Sequence, residues 1–275
     1  MAVMQHGWRA TLRVLIAIAV SSLAAPASGD GPDAAGGAAA LAARNALVGE
    51  YRHSTITPAG KTRRSVAIIA TRGSGLSVMW EEDEGNLFGG IGLSLDGVFG
   101  AAYTEALNGA FRGAGVLAYR IHGGTLDGVR LPRDSASGEL IEETLQGSSA
   151  LEGRYVIVRS VDPHGATFHS GYVEIVRRGD TYQMTWYTPA HSYDGVGLRI
   201  GDVLVAGYAR GFAPGLIAYC TDDGLLTGVG TVGQVGTVGA DRMVRASRGS
   251  NGSAAEPSAH CRDAVEKWNP SLVRG

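Results

Sequence analysis

The stretch "YDGVGLRIGDVLVAGY" (Tyr193–Tyr208) has a near copy earlier in the chain, "FGGIGLSLDGVFGAAY" (Phe88–Tyr103). Each copy predicts two strands around a tight turn, at Asp96-Gly97 and at Gly201-Asp202, because Gly and Asp accept the positive φ that such turns need. The predicted turn also argues against a nucleotide-binding loop, which requires a helix after the glycines. Aligned without a gap, the copies share Gly90 with Gly195, Gly92 with Gly197, Leu93 with Leu198, Val98 with Val203, Ala101 with Ala206 and Tyr103 with Tyr208. This order predicts a duplicated structural unit.

The duplication continues along the chain in the same order. "LVGEY" (Leu47–Tyr51) matches "LEGRY" (Leu151–Tyr155), and "GVLAYR" (Gly115–Arg120) matches "GLIAYC" (Gly215–Cys220). Within each copy, short segments rich in Val, Ile, Leu and Tyr are separated by Gly, Asp, Asn or Pro, which is typical of antiparallel strands joined by hairpins. We therefore predict an all-β fold of two tandem antiparallel, up-and-down, barrel-like repeats with about eight strands each.

The predicted organisation has five segments. They are a signal peptide at 1–29, a flexible lead-in at 30–45, β-repeats at 46–147 and 148–248, and a C-terminal tail at 249–275. The signal is predicted because a positively charged segment with Arg9 and Arg13 precedes a short apolar core, "VLIAIAVSSLAA" (Val14–Ala25). Small residues suited to cleavage follow that core. A retained anchor helix is the alternative, although the core is short for a bilayer. We expect an exported protein, periplasmic or extracellular, with no membrane span in the mature chain.

Composition narrows the possible partners. The formal net charge of -2 supplies no basic field for a phosphate backbone, so nucleic acid is not expected as a partner. The 42 glycines follow no collagen-like period, and we assign them to turns and bulges of a β-rich fold.

The two cysteines, Cys220 and Cys261, predict a disulfide, because an even count in an exported protein favours pairing. Strand alternation in "GLIAYC" places Ile217 and Tyr219 inward and Cys220 on the outer wall, where the tail reaches it. Two free thiols are the alternative.

Aromatic residues recur at matched positions of the two repeats. Such rings are suited to line a cavity for a small apolar ligand, and the alternative is that they only fill the barrels. The predicted ligand-binding residues are Trp80, Tyr103, Tyr119, Trp186, Tyr208 and Tyr219.

The sequence offers little for catalysis. His164, His169 and His191 lie near predicted turns of the second repeat, but their spacing matches no standard metal-ligand motif. His53 and His122 have no counterpart in the second repeat, and we interpret His164, His169 and His191 as solvated loop residues. No catalytic residue, metal or cofactor is therefore predicted.

The "LxGxY" opening of each run of strands, at Leu47–Tyr51 and Leu151–Tyr155, resembles that of the calycin group, the lipocalin and avidin-type barrels, with Tyr where lipocalins have Trp. The resemblance implies a barrel that binds a small ligand. We expect an exported, non-catalytic protein that binds a small apolar ligand or an envelope partner. The alternatives are a structural or adhesive surface module, or a metal-dependent enzyme that uses the loops of the second repeat.

Overall fold

The computed structural model describes residues 41–107, 110–111, 113–133, 135, 137–167, 170–210, 212, 214–231, 236–246 and 258–266. The predicted signal peptide, most of the lead-in, and the tail apart from 258–266 lie outside these residues. Residues 41–46, which begin in the predicted lead-in, are helical. No helix among the described residues has the length and apolar character needed to cross a membrane.

The described residues form strands and one further helix with the following bounds. They are β1 (Gly49–Ile56), β2 (Thr62–Arg72), β3 (Gly75–Glu82), β4 (Leu87–Leu95), β5 (Val98–Leu107), β6 (Ala110–Phe111), β7 (Gly115–His122), β8 (Thr125–Leu131), β9 (Ile141–Gln146), β10 (Gly153–Val161), β11 (Tyr172–Arg178), β12 (Thr181–Tyr187), β13 (Ser192–Ile200), β14 (Val203–Ala209), β15 (Gly215–Asp222), β16 (Leu225–Thr231), β17 (Gly239–Arg245) and α1 (Ala259–Glu266).

These strands close into two eight-stranded antiparallel barrels, which confirms the predicted fold class. Barrel 1 has the order β1-β2-β3-β4-β5-β15-β16-β17, closed by pairing of β17 with β1, with β6 as a short hairpin partner of β5. Barrel 2 has the order β7-β8-β9-β10-β11-β12-β13-β14, closed by pairing of β14 with β7.

The two barrels do not coincide with the two repeats. Each repeat gives its first five strands to one barrel and its last three to the other, so β5 pairs with β15 and β14 pairs with β7. The chain passes from barrel 1 to barrel 2 after β5 and returns after β14. The predicted start of the second repeat at residue 148 thus lies within barrel 2, between β9 and β10.

The duplicated stretch, Phe88–Tyr103 and Tyr193–Tyr208, forms one hairpin in each barrel. Leu95 pairs with Val98 across the first turn, where Asp96 (φ 49°) and Gly97 (φ 75°) both adopt the positive φ of a type I′ turn. Gly201 (φ 57°) opens the equivalent turn between β13 and β14. The predicted hairpins are confirmed.

Three apolar clusters follow from strand alternation. The interior of barrel 1 includes Tyr51, Trp80 and Tyr219, and that of barrel 2 includes Tyr155 and Trp186. The third cluster consists of outward-facing residues of both barrels and of α1, so the barrels pack wall against wall. Its members are mostly Ala, Val, Leu and Ile, which allow the two walls to approach closely.

The predicted disulfide joins Cys220 to Cys261 with a Cα–Cα distance of 5.4 Å. Cys220 faces outward from β15, as strand alternation predicts, and Cys261 lies in α1. The bond holds α1 on the cluster between the barrels, where Ala264 is also buried.

Candidate functional site

A cavity of about 300 Å³ opens at the end of barrel 1 that carries the β1–β2 hairpin. One wall is aromatic and the opposite side is polar. The residues that matter most for its chemistry are Trp80, Phe88, Tyr103, His53, Ser65 and Asp241.

The aromatic wall is set by the register of neighbouring strands. Trp80 on β3 lies opposite Phe88 on β4, and the ring centroids of Trp80 and Tyr103 are 5.1 Å apart. Phe88 meets Tyr103 edge to face, at 5.9 Å and 83°. Tyr103 lies across from Gly215, where a Cβ would lie 2.4 Å from the Tyr103 ring. Glycine at 215 is therefore needed to seat this ring.

The polar side centres on Asp241, whose side chain is only 3% exposed. Its Oδ1 accepts hydrogen bonds from Tyr219 Oη at 3.0 Å and from Thr55 Oγ1 at 3.1 Å, and it contacts His53 Nε2. Tyr219 lies on β15, and His53 and Thr55 lie on β1. They reach Asp241 because β17, which carries Asp241, pairs with β1 and lies two strands from β15. The barrel thus brings together residues that are 188 positions apart in the chain.

The ring of His53 connects Asp241 to Ser65. Ser65 Oγ lies 2.6 Å from His53 Nδ1. An ionised carboxylate only accepts hydrogen bonds, so the Nε2–H group donates the hydrogen bond to Asp241 Oδ1. In a neutral ring Nδ1 is then an acceptor for the Ser65 hydroxyl. The hydroxyl, imidazole and carboxylate are thus hydrogen-bonded in the order found in catalytic triads, where they act as nucleophile, base and orienting acid.

Burial and the nearby acids keep the phenols of this region protonated. Burial raises the pKa of Tyr219 well above its ordinary range, and the charge and hydrogen bond of Asp241 raise it further. Burial also raises the pKa of Tyr103, with additional contributions from the negative charges of Asp241 and Glu82. Both tyrosines therefore act as hydrogen-bond donors and apolar surface, not as anions.

The interior of barrel 2 contains residues equivalent to Asp241 and Tyr219, at the corresponding end of the barrel. Gly228 pairs with Asp241 and Gly128 pairs with Glu143, so Glu143 is the counterpart of Asp241. Tyr119 donates a hydrogen bond to Glu143 as Tyr219 does to Asp241. Burial raises the pKa of Tyr119 well above its ordinary range, and the charge of Glu143 adds to this shift.

Arg130 is the main difference between the two interiors. Arg130 lies two residues after Gly128 on β8 and therefore on the same face of the strand. The equivalent residue of barrel 1, two residues after Gly228 on β16, is Gly230. The Arg130 side chain is 2% exposed, and its Nη2 lies 3.7 Å from Glu143 Oε1. Burial acts to lower the pKa of Arg130, but the opposing charge of Glu143 and the nearby tyrosines leave it above the ordinary value. Arg130 thus fills the place that is open in barrel 1.

A depression of about 320 Å³ does lie at this end of barrel 2. Its lining includes Arg130, Tyr193 and Tyr208, but neither Trp186 nor Glu143. Arg130 therefore separates the depression from the buried carboxylate, whereas in barrel 1 Asp241 itself lines the cavity.

The structure distributes the six predicted ligand-binding residues over both barrels. Trp80 and Tyr103 line the barrel 1 cavity, and Tyr219 lies beside it as a donor to Asp241. Trp186, Tyr208 and Tyr119 occupy the matching places in barrel 2 and do not reach the barrel 1 cavity.

The sequence pointed to no role for His53, because it has no counterpart in the second repeat. His53 lies on β1 with its ring turned inward, and its side chain is only 12% exposed. His164 and His191 do lie in exposed turns of barrel 2, and His169 lies outside the described residues. Within the described ranges, no group of three or more His, Cys, Asp or Glu side chains is placed to hold a metal ion.

Sequence reasoning did not single out Asp241, Ser65, Glu143 or the contrast between Arg130 and Gly230. A signal for that contrast is present, because the matched segments "LDGVR" and "LTGVG" differ in their last residue. The partnership of His53, Ser65 and Asp241 has no local signal, since barrel closure creates it. No family model, curated protein or solved structure matches this chain.

Proposed function

We propose that the protein binds a small organic molecule in the cavity of barrel 1. The observation that carries this proposal is the cavity itself, about 300 Å³, which is lined by the rings of Trp80 and Tyr103 and by the carboxylate of Asp241. Small-ligand sites typically combine apolar and aromatic walls with a few polar groups that fix orientation. The polar side makes the ligand amphipathic, not wholly apolar.

We further propose that the protein works outside the cytoplasm, as a binding barrel of the calycin type. The Cys220–Cys261 disulfide supports an oxidising compartment, and the signal-like segment at 1–29 supports export. The two closed eight-stranded barrels support the resemblance to calycin barrels at the level of architecture.

The binding proposal is tested with two neutral aromatic probes, indole and benzamide, followed by the indole N–H signals of the tryptophans in proton NMR. We expect dissociation constants in the millimolar range, which is usual for ligands with so few atoms. The Trp80 signal, assigned with Trp80→Phe, should shift because this ring lines the cavity. The Trp186 signal should not shift, because Trp186 has the matching place in the filled barrel.

A cavity-filling variant provides the matched control. Gly230→Leu projects a side chain into the cavity, since a Cβ at 230 would lie within 2.8 Å of Ile217 Cγ2 and 2.6 Å of Asp241 Oδ2. It should abolish the probe-induced shifts while the Trp186 signal stays in place. Equal shifts of both tryptophans, or binding unchanged in Gly230→Leu, would contradict the proposal.

A second candidate function, ester hydrolysis, is favoured by the hydrogen-bonded chain of Ser65, His53 and Asp241. In this reaction Ser65 Oγ attacks the ester carbonyl and His53 Nδ1 takes the hydroxyl proton. His53 returns that proton to the departing alcohol, and water then releases the acid from Ser65 by the same route.

Hydrolysis of p-nitrophenyl acetate by the full chain tests this candidate. If Ser65 is the nucleophile, Ser65→Ala should lower kcat/KM at least about 100-fold, in line with the loss of one member of such a chain. Ser54→Ala is the control, because Ser54 alternates to the outer face of β1 and should retain the wild-type rate. A rate that is equal in Ser65→Ala and wild type would exclude Ser65 as the nucleophile.

A further inference from the structure

We infer that the barrel 1 cavity binds the positively charged end of a small organic cation, a guanidinium, amidinium or ammonium group, where barrel 2 holds the guanidinium of Arg130. This inference rests on the proposed function, because it names the ligand class of the same cavity. Barrel 2 serves as the internal guide, since its own side chain occupies the equivalent place.

The surroundings of Arg130 are those of a bound cation. Its Cζ lies 4.6 Å from the ring centroid of Tyr208 and 5.7 Å from that of Trp186, within the range of cation–π interactions. The carboxylate of Glu143 lies on its other side, held by a hydrogen bond from Tyr119. Two aromatic faces and one anchored carboxylate thus surround a planar cation.

Barrel 1 repeats these surroundings with Gly230 in the place of Arg130. Trp80 and Tyr103 stand where barrel 2 has Trp186 and Tyr208, with ring centroids 5.1 Å apart against 5.6 Å. The third ring is also repeated, because Phe88 meets Tyr103 at 5.9 Å and 83°, and Tyr193 meets Tyr208 at 5.8 Å and 79°.

The polar part of the site is repeated as well. Tyr219 donates to Asp241, and the hydroxyl of Thr55 reaches the same carboxylate from β1. In barrel 2 the hydroxyl of Ser160, on β10, lies 3.5 Å from Glu143 Oε2. Acid, phenol and hydroxyl therefore correspond, while Gly230 leaves the place of the arginine side chain open.

Asp241 keeps one oxygen directed at this open place. The hydrogen bonds to Asp241 from the described residues all reach Oδ1. A Cβ at position 230 would lie 2.6 Å from Oδ2, so Oδ2 faces the position where the arginine stem begins in barrel 2. An N–H group of a ligand entering this space would donate to Oδ2.

The other charges around the cavity leave the negative character of Asp241 in place. Arg63 and Glu82 face each other at 3.4 Å and offset one another. His53 contacts Asp241 through Nε2 and Ser65 through Nδ1, so both of its ring nitrogens have partners within the protein. A buried carboxylate in a pocket of low polarity favours a ligand that brings the opposite charge.

Benzamidine and benzamide form the matched pair of probes that tests this inference. They have the same ring and nearly the same shape, but only benzamidine is charged near neutral pH. We expect the full-length, disulfide-bonded protein to bind benzamidine at least tenfold more tightly than benzamide, measured by the shift of the Trp80 indole signal. In Asp241→Asn, which keeps the shape of the side chain, the preference should fall to less than about threefold.

The outcomes separate this inference from the proposed function. Equal affinity for the two probes at the Trp80 signal overturns the cation inference and leaves small-ligand binding intact. Binding of neither probe overturns both. A tenfold preference that persists in Asp241→Asn shows that another group selects the charge, and it also overturns the inference.

A pair of cavity-filling variants keeps the test decisive if Asp241→Asn does not fold. Gly230→Arg recreates the side chain that barrel 2 has, and Gly230→Met adds an uncharged chain of similar length. Both variants share the same close Cβ contact, so that cost cancels in the comparison. We expect Gly230→Arg to have the higher midpoint of thermal unfolding and to block benzamidine. A lower midpoint for Gly230→Arg than for Gly230→Met would overturn the inference.

Discussion

Replacing Glu143 by glutamine should lower the free energy of unfolding by about 3–5 kcal/mol, the usual effect of removing one partner of a buried ion pair. The side chains of Glu143 and Arg130 are 0% and 2% exposed. Without the carboxylate charge, the guanidinium remains in an interior of low polarity that stabilises it far less than water does. Urea denaturation of wild type and variant, compared at equal m-values, measures the difference.

The neighbouring residue supplies a matched control. Glu142 pairs with Arg159 at 2.5 Å, closer than the 3.7 Å of Glu143 and Arg130, but its side chain is 60% exposed. Glu142→Gln should therefore change the free energy of unfolding by less than about 1 kcal/mol. If the two variants lose equal stability, burial is not the property that makes Glu143 important.

Replacing both members of the buried pair gives the complementary result. Arg130→Met combined with Glu143→Leu removes both charges and keeps an apolar interior of similar volume, so it should recover most of the loss caused by Glu143→Gln. A double variant as unstable as Glu143→Gln would contradict the view that the unbalanced charge of Arg130 causes the loss.

Removal of the Cys220–Cys261 disulfide should lower the free energy of unfolding by about 4 kcal/mol. The bond spans 41 positions of sequence, and closing a loop of that length restricts the unfolded chain by about this amount in the chain-entropy account. The bond also holds α1 against the wall between the barrels, where Cys261 and Ala264 are buried. Urea denaturation of a Cys220→Ala/Cys261→Ser variant measures the loss.

Redox conditions provide the control for this prediction. Wild type should unfold at lower urea concentration when a strong reductant is present, whereas the double variant should unfold at the same concentration with and without it. Hydrogen exchange should also become faster in 259–266, because the helix loses its covalent attachment. An unchanged unfolding midpoint of reduced wild type would contradict the prediction.

Much of the fold could be predicted because it depends on local patterns. Alternation along a strand decides which residues face inward, and it placed Ile217 and Tyr219 inside and Cys220 outside. The glycine and aspartate pairs decide where hairpins turn. The disulfide followed from the even cysteine count of a chain predicted to be exported, together with this alternation.

The candidate site was predicted only in part, for a physical reason. Trp80 and Tyr103 repeat in both copies, and a repeated ring is visible in the sequence. His53 is not repeated, and Asp241 is repeated only as the other acid, Glu143. The contact between His53 and Asp241 exists only because β17 closes the barrel against β1. Aligning the two repeats reveals the residues that the barrels share. The cavity instead depends on a difference between the barrels, Arg130 in one and Gly230 in the other.

Local sequence patterns were enough to predict the strands, their turns and their inward and outward faces, because each of these depends on neighbouring residues; the cysteine pairing followed from the even count. Which strands share a barrel is visible only in the folded chain. Tyr103 packs on Gly215 and Tyr208 packs on Gly115 in the exchanged pairs, although the repeats carry the same residues at these positions. Pairing within a repeat would bring together the same residue types, so no local preference distinguishes the two arrangements. The connections and the packing of the two walls make the choice.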